Sequence, residues 1–245
     1  MAWTEKQLKS HRESARLLYS IVEQVFELLK NKPATEYEVR DFIMSKFRED
    51  NIIPDKDPPT VAFRENTANV YYVVNQKTTK KLEKDSLILI DMWARKKING
   101  LPFADITWMA YKGEKIPQNL TDTFNILLEA RDQAFSFIKF SLKDGVVPTG
   151  NEVHEQLINV FVKHKVKDKF LHTTGHPLGF YSCHGNVPWI CKSNKKKLSF
   201  DQPYSMEPGL YFENDFGMRT ESNFLITKDM KLELTTPLQK EIILL

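Results

Sequence analysis

The chain of 245 residues holds two cysteines, Cys183 and Cys191. That is too few for a disulfide framework and fits a reducing compartment. Long apolar runs are missing too; none approaches the roughly 18 residues a membrane span requires. The opening Met1-Ala2-Trp3-Thr4-Glu5-Lys6 lacks the apolar core of a secretory signal. Neither secretion nor membrane insertion is indicated, so the expected location is cytoplasmic. The net charge of +3 is too small to argue for nucleic acid or an anionic membrane as partner. Lys80-Lys81 and Lys195-Lys196-Lys197 read as solvated loops rather than phosphate clamps. No stretch rich in Gly, Ser or Pro divides the chain, which is therefore read as one domain over 1–245.

What is present is ordinary globular composition, 41% hydrophobic and 27% charged, arranged with an internal repeat. Residues 5–31 predict a long amphipathic helix, with Leu17, Leu18, Ile21, Val25, Phe26, Leu28 and Leu29 at helical spacing. Pro33 ends it. Thr35-Glu36-Tyr37-Glu38 is a capping box, and the helix it opens carries Val39, Phe42, Ile43 and Phe47. The pattern returns at 119–143, where Phe124, Leu127, Leu128, Ala134, Phe135, Ile138 and Leu142 mark a second long helix. Thr149-Gly150-Asn151-Glu152 then caps a helix with Val153, Leu157, Ile158 and Phe161, 114 residues after the first box.

Strand composition follows each helix pair: 60–64, 69–74, 86–94 and 103–111, then 178–184, 203–213 and 217–227. Strands and helices in separate runs predict an α+β class. The simplest architecture is a pseudo-twofold one with halves of about 1–117 and 118–245. A sheet lies at its centre and two helix pairs cover it.

The repeat also places acids. Asp91 and Asp105 are 14 residues apart, as are Glu207 and Glu221, and the second pair begins 116 residues after the first. A carboxylate at the end of an apolar run such as Leu87-Ile88-Leu89-Ile90 costs several kcal/mol in desolvation unless something neutralises it. Four such groups point to a metal site between two related halves. Carboxylates alone suit Mg²⁺ or Ca²⁺; one imidazole shifts the preference toward Mn²⁺, Co²⁺, Fe²⁺ or Zn²⁺. Of six histidines, His11, His154 and His164 fall in helices and are expected on the surface. His172, His176 and His184 cluster in a Gly- and Thr-containing stretch between helix and strand. Two ions held by carboxylates and imidazole would activate water for amide hydrolysis. Cys183 beside His184 raises a thiol nucleophile, but such a pair is spatial rather than sequential, and Cys183 is read as a strand residue.

These residues carry a family resemblance. Leu87-Ile88-Leu89-Ile90-Asp91 with Ala104-Asp105-Ile106-Thr107 resembles the LVLID…SDITR block of the pita-bread metallopeptidases, among them methionine aminopeptidase, Xaa-Pro aminopeptidase and prolidase. His172-Thr173-Thr174-Gly175-His176 resembles HxxGH, Met206-Glu207-Pro208-Gly209-Leu210-Tyr211 resembles VEPGIY, and Gly217-Met218-Arg219-Thr220-Glu221-Ser222-Asn223 resembles GVRIEDN. The resemblance runs from about residue 10 to Pro237 and implies a pita-bread fold with a curved antiparallel sheet. It implies two divalent metal ions (Mn²⁺, Co²⁺, Zn²⁺ or Fe²⁺). Asp91 would chelate one, Asp105 and Glu221 would bridge both, and His176 and Glu207 would complete the second. Glu207 would also accept the proton of the attacking water. His184 and His172 would be catalytic and touch substrate. His172 is typical of Xaa-Pro aminopeptidases and prolidases, and not of methionine aminopeptidases.

Four departures stand out. The two aspartates are further apart than in the family, through Arg95-Lys96-Lys97-Ile98-Asn99-Gly100. Pro177 replaces a glycine after the metal histidine, and Trp108 replaces the arginine of the first block. The histidine the family places upstream of the first aspartate is absent from Asn69-Val70-Tyr71-Tyr72-Val73-Val74-Asn75, which leaves Tyr71 and Tyr72 as candidate substrate contacts. The N-terminal domain of many relatives has no counterpart, so the catalytic domain alone is expected, and a homodimer stays open. The implied function is removal of an N-terminal residue from a peptide substrate, of Xaa-Pro aminopeptidase type. The alternatives are a methionine aminopeptidase-like enzyme, or a non-peptidase or inactive binding member of the fold.

Overall fold

The computed structural model describes residues 2–186 and 188–245. Both helix pairs form where the apolar spacing places them. α1 covers Glu5–Asn31 and α2 Glu36–Glu49; α3 covers Gln118–Lys143 and α4 Gly150–Lys163. The two capping boxes close alike. Thr35 N–H donates to Glu38 Oε2 at 2.7 Å and Glu38 N–H to Thr35 Oγ1 at 3.2 Å, and Thr149 and Glu152 repeat both distances. Each box satisfies helix-end N–H groups that would otherwise have no partner. A third box, Thr4 with Gln7, starts α1 and was not singled out in the sequence.

The strands among the described residues are β1 (Ile52–Ile53), β2 (Thr60–Phe63), β3 (Ser86–Lys96), β4 (Ala104–Lys112), β5 (Tyr204–Met206), β6 (Gly209–Tyr211), β7 (Gly217–Arg219), β8 (Ser222–Ile226), β9 (Leu232–Leu234) and β10 (Ile243–Leu244). β3 is central to the first sheet, antiparallel to β1, β2 and β4; β10 adds to β4 in parallel. β5, β8 and β9 form an antiparallel sheet, and β6 pairs with β7. An isolated bridge between Thr107 and Glu221 joins the first sheet to the second half of the chain.

The period of two along β3 and β4 sorts their side chains between two cores. Ile88, Ile90, Met92, Ala94, Ala104, Ile106, Trp108 and Ala110 pack with Leu18, Ile21 and Val25 of α1 and Ile43 and Phe47 of α2. Leu87, Leu89, Met109 and Tyr111 pack with Phe124, Leu127 and Ile138 of α3 and Val153 and Phe161 of α4. Each fully buried side chain of this size contributes about 1.5–3 kcal/mol. Asp91, Asp105 and Thr107 share the parity of the second set. The same alternation that builds the core therefore turns two carboxylates toward the second half.

Four expectations need correction. Residues 69–74 are not a strand: Asn69 Oδ1 accepts from Tyr71 N–H and Asn69 C=O from Tyr72 N–H, so the backbone is used in a local turn. Residues 178–184 are not a strand either, and Cys183 lies in a bend; Gly179 N–H donates to Cys183 C=O and Gly185 N–H to Pro177 C=O, closing a tight loop. The segments 203–213 and 217–227 are each broken, at Glu207-Pro208 and at Thr220-Glu221. Pro208 brings no N–H to a ladder. His11 is fully buried rather than on the surface. Its Nδ1 donates to Phe103 C=O at 2.9 Å, so Nε2 accepts from Thr235 Oγ1 at 2.7 Å, and burial lowers its pKa to about 4. His154 and His164 are half-buried, bonded to Thr174 Oγ1 and Glu129 Oε2. No helix among the described residues is long and apolar enough to cross a membrane.

Candidate metal centre

The register Asp91 opposite Thr107 and Trp93 opposite Asp105 sets the two aspartates diagonally on one face of the β3–β4 pair. The extra residues of the hairpin fall beyond this point. They lengthen β3 so that Arg95 and Lys96 pair with β1, and the carboxylates stay in register. Glu207 and Glu221 enter from the breaks after β5 and β7. His176 is held by its own backbone, whose N–H donates to Ser205 Oγ at 2.9 Å while its C=O accepts from Ser205 N–H at 2.8 Å.

One donor atom each from Asp105, His176 and Glu221 lie within 4.8 Å of one another. Glu207 Oε1 is 3.6 Å from His176 Nε2, and Asp105 Oδ2 is 3.6 Å from the same nitrogen. His176 Nδ1 donates to Pro177 C=O at 3.1 Å, which fixes the tautomer and aims Nε2 at the carboxylates. The proline at this position thus serves through its carbonyl, and the N–H it lacks is not used. Asp91 stands apart from the three; its Oδ2 accepts from Arg219 Nη2.

Arg219 is the charge that makes this cluster tolerable. It is 6% exposed and donates to Asp91, to Thr107 Oγ1 at 3.1 Å and to Tyr211 Oη at 2.6 Å. One guanidinium and one imidazole face four carboxylates, and the imbalance shows in their proton affinities. Burial raises Asp91 to about 6, against the pull of Arg219, and raises Glu207 to about 7, against His176 and Arg219. Burial, then Asp105 and Glu207, push Glu221 well above the carboxylate range. Burial works against protonation of His176, but Asp105 and Glu207 raise its pKa.

Asp91 Oδ1, Asp105 Oδ1 and Glu221 Oε1 are buried with no hydrogen-bond partner. Three hard oxygen donors left over beside an imidazole nitrogen fit divalent cations, which would offset a desolvation cost of several kcal/mol.

The cluster lies against a cavity of about 830 Å³ lined also by Asp55, Lys56, Tyr71, Trp93, His184 and Trp189. His184 stacks on Trp189 at 5.5 Å and 7°, with its ring 4.3 Å from that of His176. His172 lines the cavity, but both its nitrogens are committed: Nδ1 donates to Thr173 C=O at 2.8 Å and Nε2 accepts from Tyr211 Oη at 3.0 Å. Burial lowers its pKa to about 3, so it is neutral. The two tyrosines also part company. Tyr71 is 80% exposed at the cavity rim, whereas Tyr72 is buried and its hydroxyl donates to Glu36 Oε2 at 2.8 Å. Trp108 faces the opposite way, against Tyr19 of α1, and takes no part in the site.

Arg219, Tyr211 and Thr107 were not singled out in the sequence. Arg219 and Glu221 are two apart within the strand expected over 217–227, and that spacing was the available signal, although the strand breaks between them.

The profile of metallopeptidase family M24 matches residues 9–228. An uncharacterized peptidase of Staphylococcus haemolyticus is 25% identical over 225 residues, which cover 92% of this chain and 60% of the relative. The structure of an X-Pro aminopeptidase from Thermotoga maritima superposes with a TM-score of 0.85 at 21% identity, over 100% of this chain and 64% of the other. A prolidase from Thermococcus sibiricus superposes at 0.83 and 24% identity, over 100% and 62%. The fold is the pita-bread fold, and the chain spans less than two thirds of the length of each of these proteins.

Proposed function

Because the chain belongs to metallopeptidase family M24, we propose that it is a two-metal hydrolase releasing the N-terminal residue of peptides, with a preference for Xaa-Pro bonds. The reading rests above all on one observation. His176 and four carboxylates converge on a cavity wall, and three of the carboxylates present an unpaired buried oxygen. Asp91, Asp105, His176, Glu207 and Glu221 would hold two divalent ions. Bound there, the ions would supply Lewis acidity and a water of lowered pKa.

The chain's own groups then divide the remaining work. Glu207 would take a proton from water and return it to the leaving amine nitrogen. His184 lines the cavity, and its side chain forms no hydrogen bond with the described residues, so its ring would be free to donate to the scissile carbonyl. His172 acts with Tyr211 as a wall rather than as a donor. Arg219 holds Asp91 and Tyr211 in place. Retention of all five ligand positions favours an enzyme over a binding module of the same fold.

The test is an assay of protein stripped of metal and reloaded with Mn²⁺, Co²⁺, Zn²⁺ or Fe²⁺. Substrates are Xaa-Pro dipeptides, longer Xaa-Pro peptides and Met-Ala peptides. Cleavage of the longer Xaa-Pro peptides supports the aminopeptidase reading. Cleavage of dipeptides alone makes the enzyme a dipeptidase. If metal binds and nothing is cut, the peptidase reading is wrong.

A further inference from the structure

Cys183 is 2% exposed, and its Sγ lies 3.0 Å from Asp105 Oδ2. The thiol is the donor of this bond and the carboxylate oxygen the acceptor. The thiol is the sole hydrogen-bond donor to this carboxylate among the described residues; Asp105 Oδ1 has none, and His176 Nε2 stands off at 3.6 Å. The backbone that aims the thiol is pinned on both sides. Cys183 N–H donates to Asp55 Oδ2 at 2.9 Å, and its C=O accepts from Gly179 N–H at 2.9 Å. Asp55 in turn comes from the segment between β1 and β2, so two loops from opposite halves of the chain meet at this residue. Cys183 also packs in a small apolar cluster with Trp3, Leu8, Phe103, Leu178 and Leu225. Filling that cluster is a role any small apolar side chain could perform, and it would not require sulfur over a carboxylate.

We propose that Cys183 is a positioning residue of the metal centre: its S–H bond holds Asp105 Oδ2 and thereby presents Oδ1 to a divalent ion. The proposal rests on the metal-site reading above and deepens it. A ligating carboxylate must hold one rotamer, and a buried carboxylate without a fixed donor loses that definition. Outer partners of ligating groups typically change metal affinity by about 10–100-fold when removed. Cys183 would thus set affinity through Asp105.

Two substitutions separate the hydrogen bond from the packing. C183V fills the apolar cluster and removes the donor; C183S keeps a donor and fills less. Divalent-metal affinity, read by competition of Mn²⁺ or Co²⁺ with a chelator, is expected to fall about tenfold in C183V and to stay within about threefold of the unsubstituted protein in C183S. Equal affinity in C183V and the unsubstituted protein overturns the proposal, as does an equal loss in both variants. Infrared spectroscopy tests the bond itself and does not depend on metal binding by any variant. The S–H band of Cys183, separated from that of Cys191 by difference against C183S, is expected at lower frequency than a free thiol. An unshifted band overturns the proposal as well. If the unsubstituted protein binds no divalent ion, the metal reading fails, and the infrared band still reports on the hydrogen bond.

Discussion

Thr107 and Glu221 are bonded twice. Glu221 N–H donates to Thr107 C=O at 3.1 Å, and Thr107 Oγ1 donates to Glu221 Oε2 at 3.0 Å. The first bond is the isolated bridge that joins β4 to the second half, and the second leaves Glu221 Oε1 as the free oxygen. Thr107 Oγ1 also accepts from Arg219 Nε. T107V keeps the shape and removes the hydroxyl, leaving the buried Arg219 guanidinium and the buried Glu221 carboxyl each short of a partner. We expect a loss of about 2–4 kcal/mol in urea unfolding of metal-free protein. T107S, which keeps the hydroxyl and loses one methyl, is expected to cost about 1 kcal/mol. Equal effects would mean that the methyl matters and the hydroxyl does not.

The crowded carboxylates predict an inverted pH dependence for the metal-free protein. Burial raises the pKa of Asp91 to about 6 and of Glu207 to about 7, and Glu221 lies higher still. Each binds its proton more tightly folded than unfolded. Their contribution to stability is complete below the unfolded carboxylate values of about 4 and is lost as pH rises through the folded ones. His11 acts at the acid end with the opposite sign: neutral when folded, it costs stability as pH falls from 6.5 toward about 4. Divalent ions displace the carboxyl protons. The gain in thermal midpoint on adding Mn²⁺ is therefore expected to grow from about pH 5 to about pH 8. A gain that is flat across this range would count against a carboxylate metal site.

Much of this was readable from periodicity, and the exceptions have physical causes. Leu87, Leu89 and Asp91 share a parity, as do Asp105, Thr107, Met109 and Tyr111, so the shared face of both aspartates follows from strand geometry. The helix caps follow from local hydrogen bonding alone. What was missed is long-range. His11 looked like a surface residue because its partners, Phe103 and Thr235, lie 92 and 224 residues away. Cys183 meets Asp105 across 78 residues, and no local pattern marks it. The segment 69–74 has β-forming residues, but Asn69 supplies a turn that competes with a ladder.

The two adjacent tyrosines offer a clean contrast. The Tyr72 hydroxyl satisfies the fully buried Glu36, which also accepts from Phe63 N–H at 2.6 Å and Lys80 N–H at 2.8 Å. Y72F is expected to lower stability by about 1–3 kcal/mol while leaving kcat/KM of the folded fraction unchanged. Tyr71 is exposed at the rim of the cavity. Y71F is expected to leave stability within about 0.5 kcal/mol. It is expected to lower kcat/KM on an Xaa-Pro peptide about tenfold, the value of one hydrogen bond to the reacting substrate. Chemical unfolding and steady-state kinetics on both variants check the pair. A kinetic loss in Y72F and none in Y71F would reverse the assignment.

Gly209 is where backbone must pass close beneath the site. A Cβ there would lie 2.6 Å from His172 Nε2 and 2.7 Å from Tyr211 Oη, the two atoms that bond each other at 3.0 Å. G209A must therefore part His172 from Tyr211 or shift β6. Overpacking of this kind costs about 1–3 kcal/mol. The larger effect is expected on function, because Tyr211 Oη is also the acceptor of Arg219 Nη1, and Arg219 holds Asp91. Loss of that chain is expected to lower metal affinity and kcat by about tenfold or more. The cause can be isolated with a double-mutant cycle. H172A removes the imidazole and gives the Tyr211 ring, the other group the new methyl would strike, room to move, so G209A is expected to cost less in the H172A background than in the unsubstituted protein. Metal affinity by chelator competition and kcat are measured on all four proteins. If the two substitutions add in full, the glycine is needed for the course of β6 itself, and the contact with His172 is incidental.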